Sequence, residues 1–356
     1  KSILRKIVGV INFYISTKNT CEVPKDGKYA VLNLSGFLIN ADAGRYSFIL
    51  CKYLNYSGYK IVMKLDRPFF TRSATYKELL LKQYFKFIRV YNSNKDSITL
   101  FEDGSKIKTI KLYYGFKYSK ENIDAYYLPF SSHPFYFQTA QLTDERLILR
   151  KREKKINIFF AGNIDKNLYS NNLQEEFSSI ISRVNVLEHI QKNHKDDLIQ
   201  VSDKAVLYEL LDSPVTVNKL VICEAKTPQE SWLEILSSCN FYLCLPGVRM
   251  PWSHNATEAM SVGAIPIIQY GNLFHPPLEH MKNCITYNSY EELDDAVHIA
   301  LHLGKEELAT LRSAAINYYE TYLAPEAVVQ AVVNFSESKE LAMDIAIPFL
   351  ELNDRF

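Results

Sequence analysis

Between Phe241 and Ile268 the chain runs through an apolar stretch, a Gly/Pro-rich loop, a short helix, a Gly turn and a second apolar stretch. Two apolar runs of strand length joined through a helix pair in parallel, because the helix returns the chain to the edge it left. A parallel pair needs both of its faces covered, so the chain must fold in α/β layers. The same alternation recurs along the sequence. Strands are predicted at Tyr29–Ser35, Tyr59–Lys64, Tyr126–Phe130, Ile156–Ala161, Lys219–Cys223, Phe241–Leu245 and Ala264–Gln269. Helices are predicted over 45–56, 172–192, 231–239, 254–262, 290–303 and 305–322. Asp103-Gly104 centres a hairpin over 98–114, expected as an insertion in the first domain. The stretch 325–352 is expected to be helical and to run back to that domain.

A length of 356 residues favours two domains. The boundaries predicted are 1–150 and 151–325, with a tail over 326–356 and Ser131–Pro134 leading into the crossing between the domains. The net charge of +1 hides a split. Residues 1–155 hold 28 Lys and Arg against 13 Asp and Glu, a net +15, and the remainder holds 13 against 27, a net −14. The basic half should face something anionic: a membrane surface or a phosphate-bearing acceptor. With no helix-turn-helix, zinc-finger or ribonucleoprotein signature, nucleic acid is not expected. The apolar run Val8–Ile15 is too short to span a bilayer. The chain opens on Lys1 rather than Met, expected as an artificial start with any targeting segment upstream. Six cysteines without CxxC spacing fit a reducing, cytoplasmic setting, with Cys51, Cys239 and Cys244 expected as buried small hydrophobes. No HExxH and no Asp-x-Asp occurs, so no metal is expected.

The chemistry concentrates in 241–268. Ser253 is a good N-cap, leaving the backbone N–H groups of the next residues facing the loop that holds Gly247 and Arg249. A helix N-terminus beside a cation suits a diphosphate. His254 and Glu258 share a helix face, and a carboxylate at that depth suits the cis-diol of a ribose. Plainer roles exist for each: Glu258 as an ordinary helix carboxylate, Arg249 as a surface cation, His254 as part of the cap, Trp252 as a packing anchor. The acidic pairs Asp196-Asp197 and Asp294-Asp295 are expected on solvated faces, and the aromatic cluster Tyr126–Phe137 in core packing.

The segment Cys244-Leu-Pro-Gly, Trp252-Ser-His, Glu258-Ala-Met, Gly263 and Ala264-Ile-Pro-Ile resembles the donor-binding region of GT-B glycosyltransferases, most closely the exostosin-like family. Arg152–Gly162 is similar to that family's opening strand, and Gln229–Asn240 to its helix before the Phe-Cys-Leu strand. The likeness spans about 150–270. It implies two Rossmann-like βαβ domains facing across a cleft, with ligands at the carboxyl ends of the strands. It implies a nucleotide-sugar donor, UDP-sugar favoured, held by the second domain. Glu258 would bind the ribose; Arg249 and the amides of Ser253, His254 and Asn255 the diphosphate; Gly162, Asn163 and Lys166 would line the donor cleft. The first Glu of a retaining Glu-x7-Glu pattern falls on Met250, which favours inversion without metal or other cofactor.

Inversion needs a general base near an acceptor hydroxyl, normally from the first domain. Asp42, after the first strand, is the first choice, then Asp66 at the end of the next strand, then His133 near the domain crossing. The expected role is transfer of a sugar to a glycan or lipid-linked glycan acceptor. The Lys/Asn/Ile/Tyr-rich composition points to bacterial cell-surface polysaccharide, lipopolysaccharide O-antigen or capsule, made at the inner face of the membrane. The alternatives are a nucleotide-sugar epimerase or hydrolase of the same fold, or a catalytically silent scaffold of glycan assembly.

Overall fold

The computed structural model describes residues 25–34, 44–65, 76, 86–89, 96–114, 125–138, 144–170, 173, 175–334 and 340–343. Two compact units emerge: unit 1 is Lys1–Leu128 with Pro325–Phe356, and unit 2 is Pro129–Ala324. In chain order, unit 1 begins with β1 (Lys28–Asn33), α1 (Arg45–Tyr56), β2 (Lys60–Leu65), β3 (Lys86–Arg89), β4 (Ser97–Glu102), β5 (Ser105–Tyr114) and β6 (Ala125–Leu128). Unit 2 contributes α2 (Asp144–Leu149), β7 (Ile156–Ala161), α3 (Arg183–Asn193), β8 (Leu198–Val201), α4 (Lys204–Leu211) and β9 (Val217–Cys223). It continues through α5 (Trp232–Ser237), β10 (Cys239–Cys244), α6 (His254–Ser261), β11 (Ile265–Ile268), β12 (Ile285–Thr286), α7 (Tyr290–His302) and α8 (Lys305–Tyr318). The chain then re-enters unit 1 with α9 (Pro325–Asn334) and β13 (Glu340–Met343).

In unit 1, β1–α1–β2 is the expected βαβ unit: β1 pairs in parallel with β2, and β2 with β3. The 98–114 hairpin is no insertion. Its strand β4 pairs antiparallel with β1 and sits mid-sheet in the order β3-β2-β1-β4-β5-β13-β6. Asp103 (φ 46) and Gly104 (φ 78) both take the left-handed conformation that a two-residue hairpin turn requires. The tail is also not all helix. Helix α9 packs on α1, but Glu340–Met343 forms a strand between β5 and β6, parallel to both. The predicted helical residues beyond 343 lie outside the described residues.

Unit 2 is built on a six-stranded sheet in the order β12-β11-β10-β7-β9-β8, parallel throughout. Every residue of β7, β10 and β11 is buried, the continuous apolar run that a sheet covered on both faces demands. The helix predicted over 172–192 begins only at Arg183, where Ser182 caps it by accepting a hydrogen bond from Asn185 N. Strand β8 and helix α4 were not foreseen. Helix α8 ends at Tyr318 and gives way to a wider π-turn at Tyr319–Leu323.

The unit boundary falls at 128/129 rather than 150, because described residues from 130 to 155 bond within unit 2. Thr257 Oγ1 donates to Phe130 O at 2.7 Å, Arg146 forms a fork with Glu320, and Arg150 Nε donates to Ser261 O. Charges at the end of the basic half are engaged within unit 2 as well, Arg152 with Glu234 and Lys155 with Glu153. By the structural division, unit 1 carries 24 Lys and Arg against 16 Asp and Glu, a net +8. Unit 2 carries 17 against 24, a net −7. Among the described residues no helix is long and apolar enough to cross a membrane.

Candidate functional site

After β7 the chain moves to one side of the sheet to make β8 and β9, then returns past β7 to make β10 on the other side. The loops leaving β7 and β10 therefore diverge at a topological switch point, where an open parallel sheet leaves a crevice at its carboxyl edge. Those loops are 162–165 and 245–253, which hold most of the residues singled out in the sequence.

The β10 loop is fixed by Gly247. Its N–H donates to Pro251 O at 3.2 Å, and a β-carbon there would lie 2.5 Å from Met250 O. Trp252 is buried and meets Phe177 edge to face at 5.3 Å, the packing role anticipated for it. Ser253 caps α6, its Oγ accepting from Asn255 N at 3.4 Å. Asn255 Nδ2 donates to Tyr242 Oη, which donates to Ala161 O at the end of β7. The N-terminus of α6 is thus tied to the two central strands. At the other end Gly263 (φ 81) closes the helix, with Gly263 N bonded to Met260 O and Ala264 N to Ala259 O. Arg249 is half-buried and makes no hydrogen bond or ion pair with a described residue. The structure brings Gly247, Arg249, Ser253, His254 and Asn255 together in one loop and first helical turn.

Glu258 stands elsewhere than expected. It is 0% exposed, and its oxygens are engaged inside unit 2. Oε1 accepts from His133 N at 2.8 Å and Oε2 from Trp232 Nε1 at 2.7 Å. The buried carboxylate thus ties α6 to the 133 segment and to α5, with none of its surface exposed in this structure.

His133 was expected on the first domain as a base. It lies instead in unit 2, against α6, with its ring edge-on to His254 at 5.4 Å between centroids. Its Nδ1 accepts from Phe135 N at 3.2 Å and faces the side-chain amide of Gln229. A backbone N–H has no alternative orientation, so Nδ1 is the unprotonated nitrogen and the neutral ring carries its proton on Nε2. Such a ring offers a donor there, not a lone pair. Asp42 and Asp66 lie outside the described residues.

On the β7 side, Gly162 and Asn163 are exposed at the loop's start. Lys166 does not reach a ligand site freely: its ammonium pairs with Glu188 at 2.6 Å on an exposed face. The residue that joins the two loops was not foreseen. Arg183, first residue of α3, donates from Nε to Pro246 O at 3.0 Å and from Nη1 to Asn163 O at 2.8 Å. Its guanidinium lies over the Tyr169 ring at 3.9 Å. Nearby, at the carboxyl ends of β11 and β12, the hydroxyls of Tyr270 and Tyr287 are fully buried without a hydrogen-bond partner among the described residues. Burial pushes the Tyr270 phenol well up, and the Arg183 charge acts against that shift.

Outside the crevice, Asp294 is not simply solvated: its Oδ1 bonds both His189 Nε2 (2.8 Å) and His194 Nε2 (2.6 Å).

No family model and no curated protein matches the chain. Among solved structures it is similar to a trehalose-6-phosphate synthase studied with bisubstrate glycomimetics. That match has 12% identity, covers 81% of this chain and 71% of the other, and has a TM-score of 0.34. It is also similar to an α,α-trehalose-phosphate synthase (UDP-forming) from Burkholderia xenovorans, with 9% identity, 87% and 73% coverage and a TM-score of 0.34. A third is TarM, with 13% identity, 81% and 58% coverage and a TM-score of 0.33. Likenesses this loose assign neither a substrate nor a residue's role.

Proposed function

We propose that the chain is a GT-B-type glycosyltransferase whose unit 2 holds a nucleotide-sugar donor at the carboxyl edge of its parallel sheet. One observation carries this reading. The capped N-terminus of α6 and Arg249, unpaired among the described residues, share one loop at the switch point, a cationic, N–H-rich edge suited to a diphosphate. In the proposed reaction an acceptor hydroxyl attacks the anomeric carbon from the face opposite the diphosphate. The new C–O bond forms as the bond to the diphosphate breaks, the nucleoside diphosphate leaves, and the hydroxyl proton passes to a carboxylate, Asp42 or Asp66. Charge growing on the leaving oxygens is met by Arg249 and the α6 amides, a role that needs no metal. His133 contributes an Nε2–H donor beside His254, held in that tautomer by Phe135 N.

The acceptor is proposed to be a glycan or lipid-linked glycan of a bacterial cell-surface polysaccharide, with the basic unit 1 drawn to anionic lipid at the membrane's inner face. Thermal shifts with UDP, GDP, CMP and ADP test the donor site, and one nucleotide should raise the melting temperature clearly above the others. If none does, the donor reading is wrong. Release of nucleoside diphosphate from the matching sugar nucleotide, with and without glycan acceptor, then separates transfer from hydrolysis.

A further inference from the structure

Two arginines are buried in unit 2 among the described residues, Arg146 and Arg183, each 7% exposed. Arg146 has a counter-charge, Glu320, bonded through two nitrogens. Arg183 has none: among the described residues it makes no ion pair, and its partners are the carbonyls of Pro246 and Asn163 and the faces of Tyr169 and Phe160. Carbonyl dipoles and ring faces orient a guanidinium without cancelling its charge, and a buried charge without a counter-ion is unfavourable. Nη2 makes no hydrogen bond to a described residue. A second observation lies beside it. The Tyr270 hydroxyl, at the carboxyl end of the next strand but one, is fully buried and has no hydrogen-bond partner among the described residues. A buried donor left open near an uncancelled cation calls for an anion, and the position is the divergence of the β7 and β10 loops.

We propose that Arg183 is an anion-binding residue whose missing counter-charge is the diphosphate of the donor. The guanidinium draws the two loops together through Asn163 O and Pro246 O and turns its remaining N–H edge to a phosphoryl oxygen. This rests on the donor reading above, but adds a buried residue of α3 to the diphosphate role expected of Arg249 and the amides of Ser253, His254 and Asn255.

Isothermal titration of the full chain tests it with inorganic pyrophosphate, with UDP, GDP and ADP, and with uridine, guanosine and adenosine. Arg183→Met should weaken pyrophosphate and the preferred nucleoside diphosphate at least tenfold while leaving the matching nucleoside within twofold. Diphosphate affinity within twofold of wild type, or equal weakening of nucleoside and diphosphate, overturns the proposal. If Arg183→Met does not fold, Arg183→Lys carries the same comparison, because a lysine cannot hold both carbonyls and a phosphoryl oxygen in one plane. A diphosphate-specific loss of at least threefold is then expected, and no loss overturns it. Wild-type protein that binds pyrophosphate but no nucleotide keeps the anion role and removes the donor reading. Nucleotide binding that is indifferent to both variants does the reverse.

Discussion

The backbone N–H of His133 donates to Glu258 Oε1 at 2.8 Å, joining residues 125 apart in the chain. The other oxygen takes the Trp232 indole N–H. One buried carboxylate thus holds the 130–133 segment, helix α5 and helix α6 together beneath the proposed donor loop. Trp232→Phe keeps the ring packing and removes the donor, leaving a buried carboxylate oxygen bare. The expected cost is about 1–3 kcal/mol, read as a lower urea midpoint at unchanged slope. An unchanged midpoint would show that the indole bond is dispensable.

Substitution of His133 separates two roles. A Gln amide nitrogen reaches the place of imidazole Nε2, whereas an Asn amide nitrogen reaches only that of Nδ1. If His133 serves as an Nε2–H donor, His133→Gln retains most of the nucleotide-release activity and His133→Asn loses it by about tenfold or more. Equal loss in both variants would instead indicate a proton acceptor, which neither amide replaces.

Gly247 and Gly263 should respond differently to a single added methyl. At Gly247 the new carbon would strike Met250 O, so Gly247→Ala must reshape the β10 loop. Nucleotide binding is expected to fall at least tenfold in titration calorimetry. Gly263→Ala strains the left-handed turn at φ 81 and crowds Ile316, so its effect should appear as about 1–2 kcal/mol of lost stability. Intact nucleotide affinity in Gly247→Ala would mean the loop is not part of the ligand site.

Glu320 makes stability depend on acid. Burial pushes its carboxyl up, but hydrogen bonds from Arg146 and Arg150 outweigh this and hold it below the ordinary 4.5. A depressed folded-state value means that the unfolded chain takes up the proton first. The stabilisation is therefore complete above about pH 4.5 and lost as pH falls through the folded value. Glu320→Gln should remove that part of the acid dependence in denaturation curves between pH 3 and 7. It should cost about 1–2 kcal/mol at neutral pH, less than a fully buried pair because the Glu320 side chain is 35% exposed. A variant with the wild-type acid profile would contradict this.

Where local chemistry decides structure, the sequence was legible. Arg45–Tyr56, Ile156–Ala161 and the Asp103-Gly104 turn lie where periodicity and turn residues put them, as does the order of elements across 241–268. Helix α4 was equally available: Asp203 caps it by accepting from Ala205 N, ahead of a run of good helix formers. The misses are long-range. Nothing near His133 announces Glu258, and nothing near Arg146 announces Glu320, 174 residues away, so the unit boundary was placed too late. The burial of Glu258 was not legible because position on a helix face does not disclose what a neighbouring helix, here α5 with Trp232, brings against it. Arg183 left no local sign, since its partners, the carbonyls of Pro246 and Asn163, lie on loops distant in the chain and it pairs with no carboxylate among the described residues.

Strand β13 lies between β5 and β6, and among the described residues β6 joins the sheet through β13 alone. During synthesis the whole of unit 2 leaves the ribosome before β13 does, so unit 2 is free to fold while the sheet of unit 1 still lacks a member. Unit 1 can close only after the chain has travelled through its neighbour and back. A chain stopped at Ala324 would carry a complete unit 2 and a sheet ending on the open edge of β5, a template for pairing with other chains.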